Sequence, residues 1–136
     1  MADTCCAEGS SRMIIWCAGA ANVGQMTNRI AVELSEEGYG RRFCLAGIAA
    51  HLAGFVRSIK DAEDMFVLDG CPIACARKII EHVEAPVKNH FILTELGVEK
   101  KMSPDLDRET LDRVKEAIKS ALQAERSAIT ALPAKD

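Results

Sequence analysis

The sequence predicts a small three-layer α/β fold, a sandwich with a mostly parallel four-stranded sheet and helices on both faces. Short apolar segments alternate with segments of helical periodicity along the 136 residues, as in parallel sheets joined by right-handed crossovers. Three apolar segments end on Cys17, Cys44 and Cys71, which are equally spaced, 27 residues apart, about the length of one strand-helix unit. We expect a single domain over residues 12–136, preceded by a flexible N-terminal arm over residues 1–11.

The first strand is predicted at residues 12–17, because this run is too short and too apolar for a surface helix. Such a strand is typical of a sheet centre that is covered on both faces. After the small-residue turn AGAA, Asn22 is expected to cap a helix, with Gln25 at its third position in a variant of the capping box. Apolar residues follow at helical spacing until Gly38.

A second strand is expected at residues 42–45, followed by one helix whose apolar residues extend from Ile48 to Ile59 at helical spacing. Residues 65–68 predict the third strand. Pro72 then suits the first position of the next helix, which places Cys71 at or beside its N-cap.

Residues 91–94 predict a fourth strand after the break at Ala85-Pro86. A last amphipathic helix is expected from Asp107, with one apolar stripe that packs on the sheet. That stripe consists of Leu111, Val114, Ile118 and Leu122. The tail beyond Arg126 is expected to fray.

The composition argues against several classes of protein. A formal net charge of −3 and an aromatic content of 4% give neither a basic footprint nor a stacking platform for nucleic acid. No segment has the roughly 18 to 20 apolar residues of a membrane span, and the N-terminus lacks the features of an export signal. We therefore expect a cytoplasmic protein that binds neither nucleic acid nor membrane. In that reducing compartment, clustered cysteines indicate metal ligands or redox thiols.

Four cysteines are predicted to meet at the carboxyl edge of the sheet. Cys17, Cys44 and Cys71 end strands, and Cys75 lies one helical turn beyond Cys71. Sites in such sheets lie outside the carboxyl ends of the strands. Four thiolates suit a tetrahedral Zn²⁺ ion or an iron–sulfur cluster. We predict a zinc site with these four ligands and a role in metal handling or sensing, against the alternative that the cysteines are small buried hydrophobes.

Further residues are candidates for supporting roles. Asn22 and Asp69 are expected to hold the site through hydrogen bonds from outside the ligand set, although each could simply cap a helix or turn. Cys5 and Cys6 are candidates for additional ligands, or else an exposed pair with no fixed role. The three histidines fall away from the predicted strand ends, and each is expected to be a surface or boundary residue and not a ligand.

A thiol redox or sulfur-transfer enzyme, or an iron–sulfur protein, remains an alternative. Cys71 would be the attacking thiol and Cys75 the resolving one, although Cys-Pro-Ile-Ala-Cys is one residue longer than Cys-x-x-Cys. A nucleotide-binding module would use the turn at residues 19–24, which matches neither the dinucleotide fingerprint nor a P-loop. Whether the protein is an enzyme, which protein partner it has and which oligomer it forms stay open.

Five separated blocks of the sequence resemble the DGC-domain family. They are CAGAANVGQ (17–25), CLAGIAA (44–50), GF (54–55), DGCPIACA (69–76) and TELGVEK (94–100). The family is named after an Asp-Gly-Cys motif, which stands here at residues 69–71. The resemblance implies a small bacterial or archaeal protein whose four cysteines, corresponding to Cys17, Cys44, Cys71 and Cys75, are proposed to bind zinc. It implies no established reaction, and alanines stand here at positions 20–21, where a serine often precedes the asparagine.

Overall fold

A computed structural model describes residues 11–103 and 105–131, except for the side chains of residues 126–131. Within these residues the sheet consists of β1 (Arg12–Trp16), β2 (Arg41–Arg42), β3 (Asp64–Asp69) and β4 (His90–Ile92). All paired strands are parallel, and their order is β2-β1-β3-β4. The expected parallel sheet is confirmed.

Helices cover both faces of this sheet. They are α1 (Asn22–Glu36), α2 (Leu45–Ala49), α3 (Ala53–Lys60), α4 (Cys75–His82) and α5 (Arg108–Ala131), with a 3₁₀ helix at Leu93–Leu96. Apolar residues of α1 and α5 pack on one face, and those of α2, α3 and α4 pack on the other. The three-layer α/β fold is therefore confirmed.

The two central strands, β1 and β3, are buried on both faces. Residues 13–15 of β1 and 65–68 of β3 are at most 1% exposed, because alternate side chains enter the two opposite cores. In the sheet, β2 lies next to β1 on one edge, and β3 lies next to β1 on the opposite edge. The strand order thus reverses between β1 and β3, and a crevice is expected at their carboxyl ends.

The single helix expected up to Ile59 is in fact two helices, α2 and α3. The chain breaks between them at His51, whose φ is +57°. The reason lies in packing, since a β carbon on Gly47 would lie 2.3 Å from the side chain of Phe55. The two helices approach too closely at this point to belong to one continuous helix. The second strand is also shorter than expected, and Cys44 is the N-cap of α2.

Two predicted helix starts are also wrong. The N-cap of α1 is Ala21, and Asn22 makes no capping bond, because its side chain binds another segment. The helix expected after Pro72 begins at Cys75, behind the left-handed Ala74. A tertiary contact, the carboxylate of Asp69 on the first amides of α4, sets that start.

Candidate thiol site

A cavity of about 240 Å³ opens at the reversal of strand order between β1 and β3. Cys17, Cys71 and Cys75 line it, together with Lys100. Cys44 is exposed at the start of α2 and is not one of the lining residues. The structure therefore brings three of the four predicted ligands to one cavity, while the four-cysteine set itself stays a prediction.

Cys17 is fixed directly beyond the end of β1. Its backbone N–H donates to the carbonyl of Leu68 at 3.0 Å, which extends the β1–β3 pairing by one residue. Its Sγ lies 3.7 Å from Oγ1 of Thr27 on α1, and that buried hydroxyl donates to the carbonyl of Gly24 at 2.6 Å. Thr27 was not predicted as a site residue, because one hydroxyl within an apolar helix pattern gives no functional signal.

Cys71, in the turn after β3, has a charged neighbour. Lys100 Nζ donates to its Sγ at 3.5 Å. The lysine is held there by Asn22, whose side chain donates to the carbonyl of Glu99 at 2.9 Å and accepts from the N–H of Lys101 at 2.6 Å. Asn22 thus supports the cavity through Lys100. The sequence could not show this contact, since Asn22 is 77 residues from Glu99 and 79 residues from Lys101 along the chain.

Cys75 is placed by a buried carboxylate beneath α4. Asp69 is 1% exposed and accepts from the N–H groups of Ala76 at 2.8 Å and Arg77 at 3.2 Å. Nε2 of His90 lies 2.7 Å from its Oδ2. The two backbone amides and the imidazole engage both carboxylate oxygens of Asp69. Through the two amides, Asp69 anchors the first turn of α4, in which Cys75 is the first residue.

The contact between His90 and Asp69 corrects one sequence expectation. His90 starts the fourth strand, as expected, but it does not lie away from the strand ends, because β4 is displaced toward the carboxyl edge of the sheet, with Ile92 opposite Asp69. This register brings His90 beside the Asp-Gly-Cys turn. Strand register depends on tertiary pairing, so the sequence alone does not predict the register between β3 and β4.

Backbone strain and close packing surround the cavity. Ala18 and Ala74, each adjacent in sequence to a cavity cysteine, have φ of 51° and 55°, a left-handed conformation that costs about 1 to 2 kcal/mol outside glycine. A β carbon on Gly70 would lie 2.8 Å from the backbone nitrogen of Gly24. The glycine of the Asp-Gly-Cys turn is therefore required for that turn to pack against α1. Strain of this kind concentrates at functional sites.

The donor set suits a soft metal ion, but it is not preassembled. Thiols are the ligands that zinc favours, and three of them share this cavity. Among the described residues, however, no three His, Cys, Asp or Glu side chains are grouped so that they could hold a metal ion. Cys5 and Cys6 lie outside the described residues.

The comparison with protein families decides what kind of domain this is. The DGC domain matches residues 13–118. This chain belongs to the DGC-domain family. The resemblance seen in the sequence is thus confirmed, and the turn at residues 69–71 is the DGC motif of this chain.

One relative of this DGC-domain protein is the anaerobic and virulence modulator AnvM of Pseudomonas aeruginosa. The two chains are 26% identical over 102 residues, which cover 75% of this chain and 78% of AnvM. No solved structure matches the chain. None of the helices within the described residues is both long enough and apolar enough to cross a membrane.

Proposed function

We propose that this DGC-domain protein binds zinc through the thiolates of Cys17, Cys71 and Cys75 and acts in metal handling or sensing. The observation that carries the proposal is the convergence of these cysteines on one cavity. Three thiolates leave one position of a tetrahedral zinc ion open. An incoming ligand could enter there, as transfer or sensing requires.

The surroundings of the cavity complement the charge of such a site. Three thiolates and Zn²⁺ carry a net charge of −1, and the ammonium of Lys100 lies beside Cys71. The amino-terminal end of α4, at Cys75, adds partial positive charge. Since no ligand group is preassembled among the described residues, binding has to draw the sulfur atoms together.

A regulatory role is supported by the relative's name. AnvM is named an anaerobic and virulence modulator, and a modulator acts on other processes. For the present protein, this favours sensing by a metal–thiolate site over a metabolic reaction.

Metal content tests the proposal. We would purify the chain without oxygen or chelator and measure zinc and iron by elemental analysis in the wild type, Cys71→Ser and Cys44→Ser. Cys44→Ser is the matched control, because Cys44 lies outside the cavity lining. We expect about one zinc per chain in the wild type and in Cys44→Ser, and loss of zinc in Cys71→Ser.

Other results would change the proposal in defined ways. Loss of zinc in Cys44→Ser as well would make Cys44 the fourth ligand, as the sequence predicted. Iron with a visible charge-transfer band would identify an iron–sulfur protein. A wild-type chain free of metal would contradict the proposal.

Thiol redox chemistry is the second candidate function, and the contact between Lys100 and Cys71 favours it. An ammonium beside the sulfur complements the charge of a thiolate nucleophile. In this case Cys71 and Cys75 would reduce a small disulfide such as oxidised glutathione, giving a Cys71–Cys75 disulfide and two molecules of glutathione. Mass spectrometry of the metal-free chain after that reaction would detect the disulfide.

A further inference from the structure

Two of the three histidines face each other at the end of α4 opposite to Cys75. His82 is the last residue of α4, and His51 follows α2, which packs against α4. Their ring centroids are 5.2 Å apart, with an angle of 85° between the ring planes. Seven residues separate His82 from Cys75, roughly 10 Å along the helix axis. The pair is thus separate from the thiol cavity.

The separation of the two rings suits two ligands of one metal ion. A ligating imidazole nitrogen lies about 2.0 to 2.1 Å from zinc, and the ring centre lies about 1 Å behind it, so two imidazoles on one tetrahedral ion have centroids roughly 5 Å apart. The observed 5.2 Å matches that separation. Binding requires that one nitrogen of each ring turns toward the common ion.

The nitrogen atoms of both rings are available. Within the part of the chain that the structure describes, neither His51 nor His82 makes a side-chain hydrogen bond or an ion pair. His90 differs, because its Nε2 lies 2.7 Å from the buried carboxylate of Asp69. Two of the three imidazoles therefore keep their coordinating capacity.

A cavity of about 300 Å³ lies beside the pair. Apart from the two imidazoles, its polar lining in the described residues is Lys78, and the other lining residues are apolar. The charge of Lys78 opposes a cation, but this side chain is exposed and can turn into solvent. With no carboxylate in the lining, the site would favour ions that prefer imidazole over Mg²⁺ or Ca²⁺.

We propose that His51 and His82 form a second metal site, which binds a divalent zinc-like transition ion through two imidazole nitrogens. Water or a donor from a partner completes the coordination. The site does not depend on the cysteines.

The test is a titration of the full-length chain with zinc chloride, followed by nuclear magnetic resonance of the imidazole ring nitrogens. Zinc that enters the thiol cavity ligates no imidazole, so the readout separates this site from the proposed function. We expect the rings of His51 and His82 to respond together with one dissociation constant, both in the wild type and in Cys71→Ser, in which the thiol site is lost. His90 lies beside the thiol cavity, so it is an internal control only in Cys71→Ser, where it should stay unchanged. Response of only one ring, an equal response of His90 in Cys71→Ser, or no response at millimolar zinc would overturn the proposal.

Two substitutions sharpen this test. Asparagine tolerates the left-handed conformation, so His51→Asn preserves the backbone, and His82→Asn is its counterpart on α4. We expect each substitution to weaken zinc binding at the histidine site at least tenfold. The remaining ring should then no longer respond over the range of zinc concentration that saturates the wild type. If the remaining ring in either variant responds to zinc as strongly as it does in the wild type, the proposal is overturned. If His51→Asn fails to fold, His82→Asn provides the test.

Discussion

At the scale of single residues, the cavity depends on side chains that hold the backbone near the cysteines. Asp69 anchors the start of α4, where Cys75 lies, and Asn22 holds the segment that carries Lys100. Both residues act through hydrogen bonds to the main chain. Their substitution should therefore affect stability as well as the site.

We expect Asp69→Ala to lower the free energy of unfolding by about 2 to 4 kcal/mol, because buried donors lose a charged acceptor. Urea denaturation measures the change. Asp112→Ala is the control, because the carboxylate of Asp112 is 51% exposed in its ion pair with Arg108, and its loss should cost at most about 1 kcal/mol. Equal losses in the two variants would contradict the structural role assigned to Asp69.

Asn22→Ala should release the segment that carries Lys100. We expect a loss of about 1 to 2 kcal/mol and faster hydrogen exchange at the amide of Lys101, which donates to Asn22 Oδ1 at 2.6 Å. Asn28→Ala, on the exposed side of the same helix, should leave that exchange rate unchanged. If both variants exchange at the wild-type rate, Asn22 does not hold the segment.

At the scale of elements, ion pairs join α1 to α5. Glu33 receives hydrogen bonds from Arg108 at 2.7 Å and from Lys115 at 2.9 Å. The bonds from Arg108 are the main cause that lowers the pKa of Glu33 to about 2, with Lys115 adding to them against the opposing effect of burial. The ionised carboxylate therefore stabilises the fold.

This lowered pKa predicts a pH dependence of stability. Because the pKa falls from 4.5 when unfolded to about 2 when folded, the contribution of Glu33 is fully present above pH 4.5 and is lost as the pH falls toward 2. Glu33→Gln should lower the free energy of unfolding at pH 7 by about 1 to 2 kcal/mol, and the difference from wild type should shrink between pH 4.5 and 2. Glu36→Gln, at an exposed position, is the control. A difference that does not change with pH would contradict this.

Sequence periodicity located the central elements well, because both β1 and β3 are short apolar runs and α1 has a regular apolar stripe. It failed where packing between elements decides the local structure. The apolar spacing continues through His51, yet the close contact between Gly47 and Phe55 divides the helix. Likewise, the start of α4 depends on a cap from Asp69, several residues upstream and on another element.

For the site, the strand ends predicted the edge of the sheet at which Cys17 and Cys71 line one cavity, since neighbouring parallel strands end at one edge. The supporting groups were not predictable in the same way. Lys100 reaches Cys71 from 29 residues away, and the position of His90 depends on the register between β3 and β4. Contacts of this kind leave no periodic signal.

At the scale of the whole molecule, the fold does not rest on the cysteines. Two apolar clusters lie on opposite faces of the sheet, and Cys17 and Cys71 are only partly buried at their margins. A domain with such a core should fold without metal, unlike a zinc finger, in which metal binding supplies the folding energy.

We therefore expect the chelator-treated chain to keep its far-ultraviolet circular dichroism and a cooperative thermal transition. Added zinc should raise the stability by mass action, by about 2.7 kcal/mol at a free concentration of one hundred times the dissociation constant. Cys71→Ser should lose the part of this rise that the thiol site contributes. An unfolded chain after chelation would show that metal binding is part of folding.

The most direct measurement is X-ray absorption at the zinc edge, on the chain loaded with one equivalent of zinc. It counts the sulfur neighbours of the ion and measures their distances. We predict three sulfur neighbours at about 2.3 Å, unchanged in Cys44→Ser, because Cys17, Cys71 and Cys75 share the cavity. A shell of only nitrogen and oxygen neighbours would contradict the account.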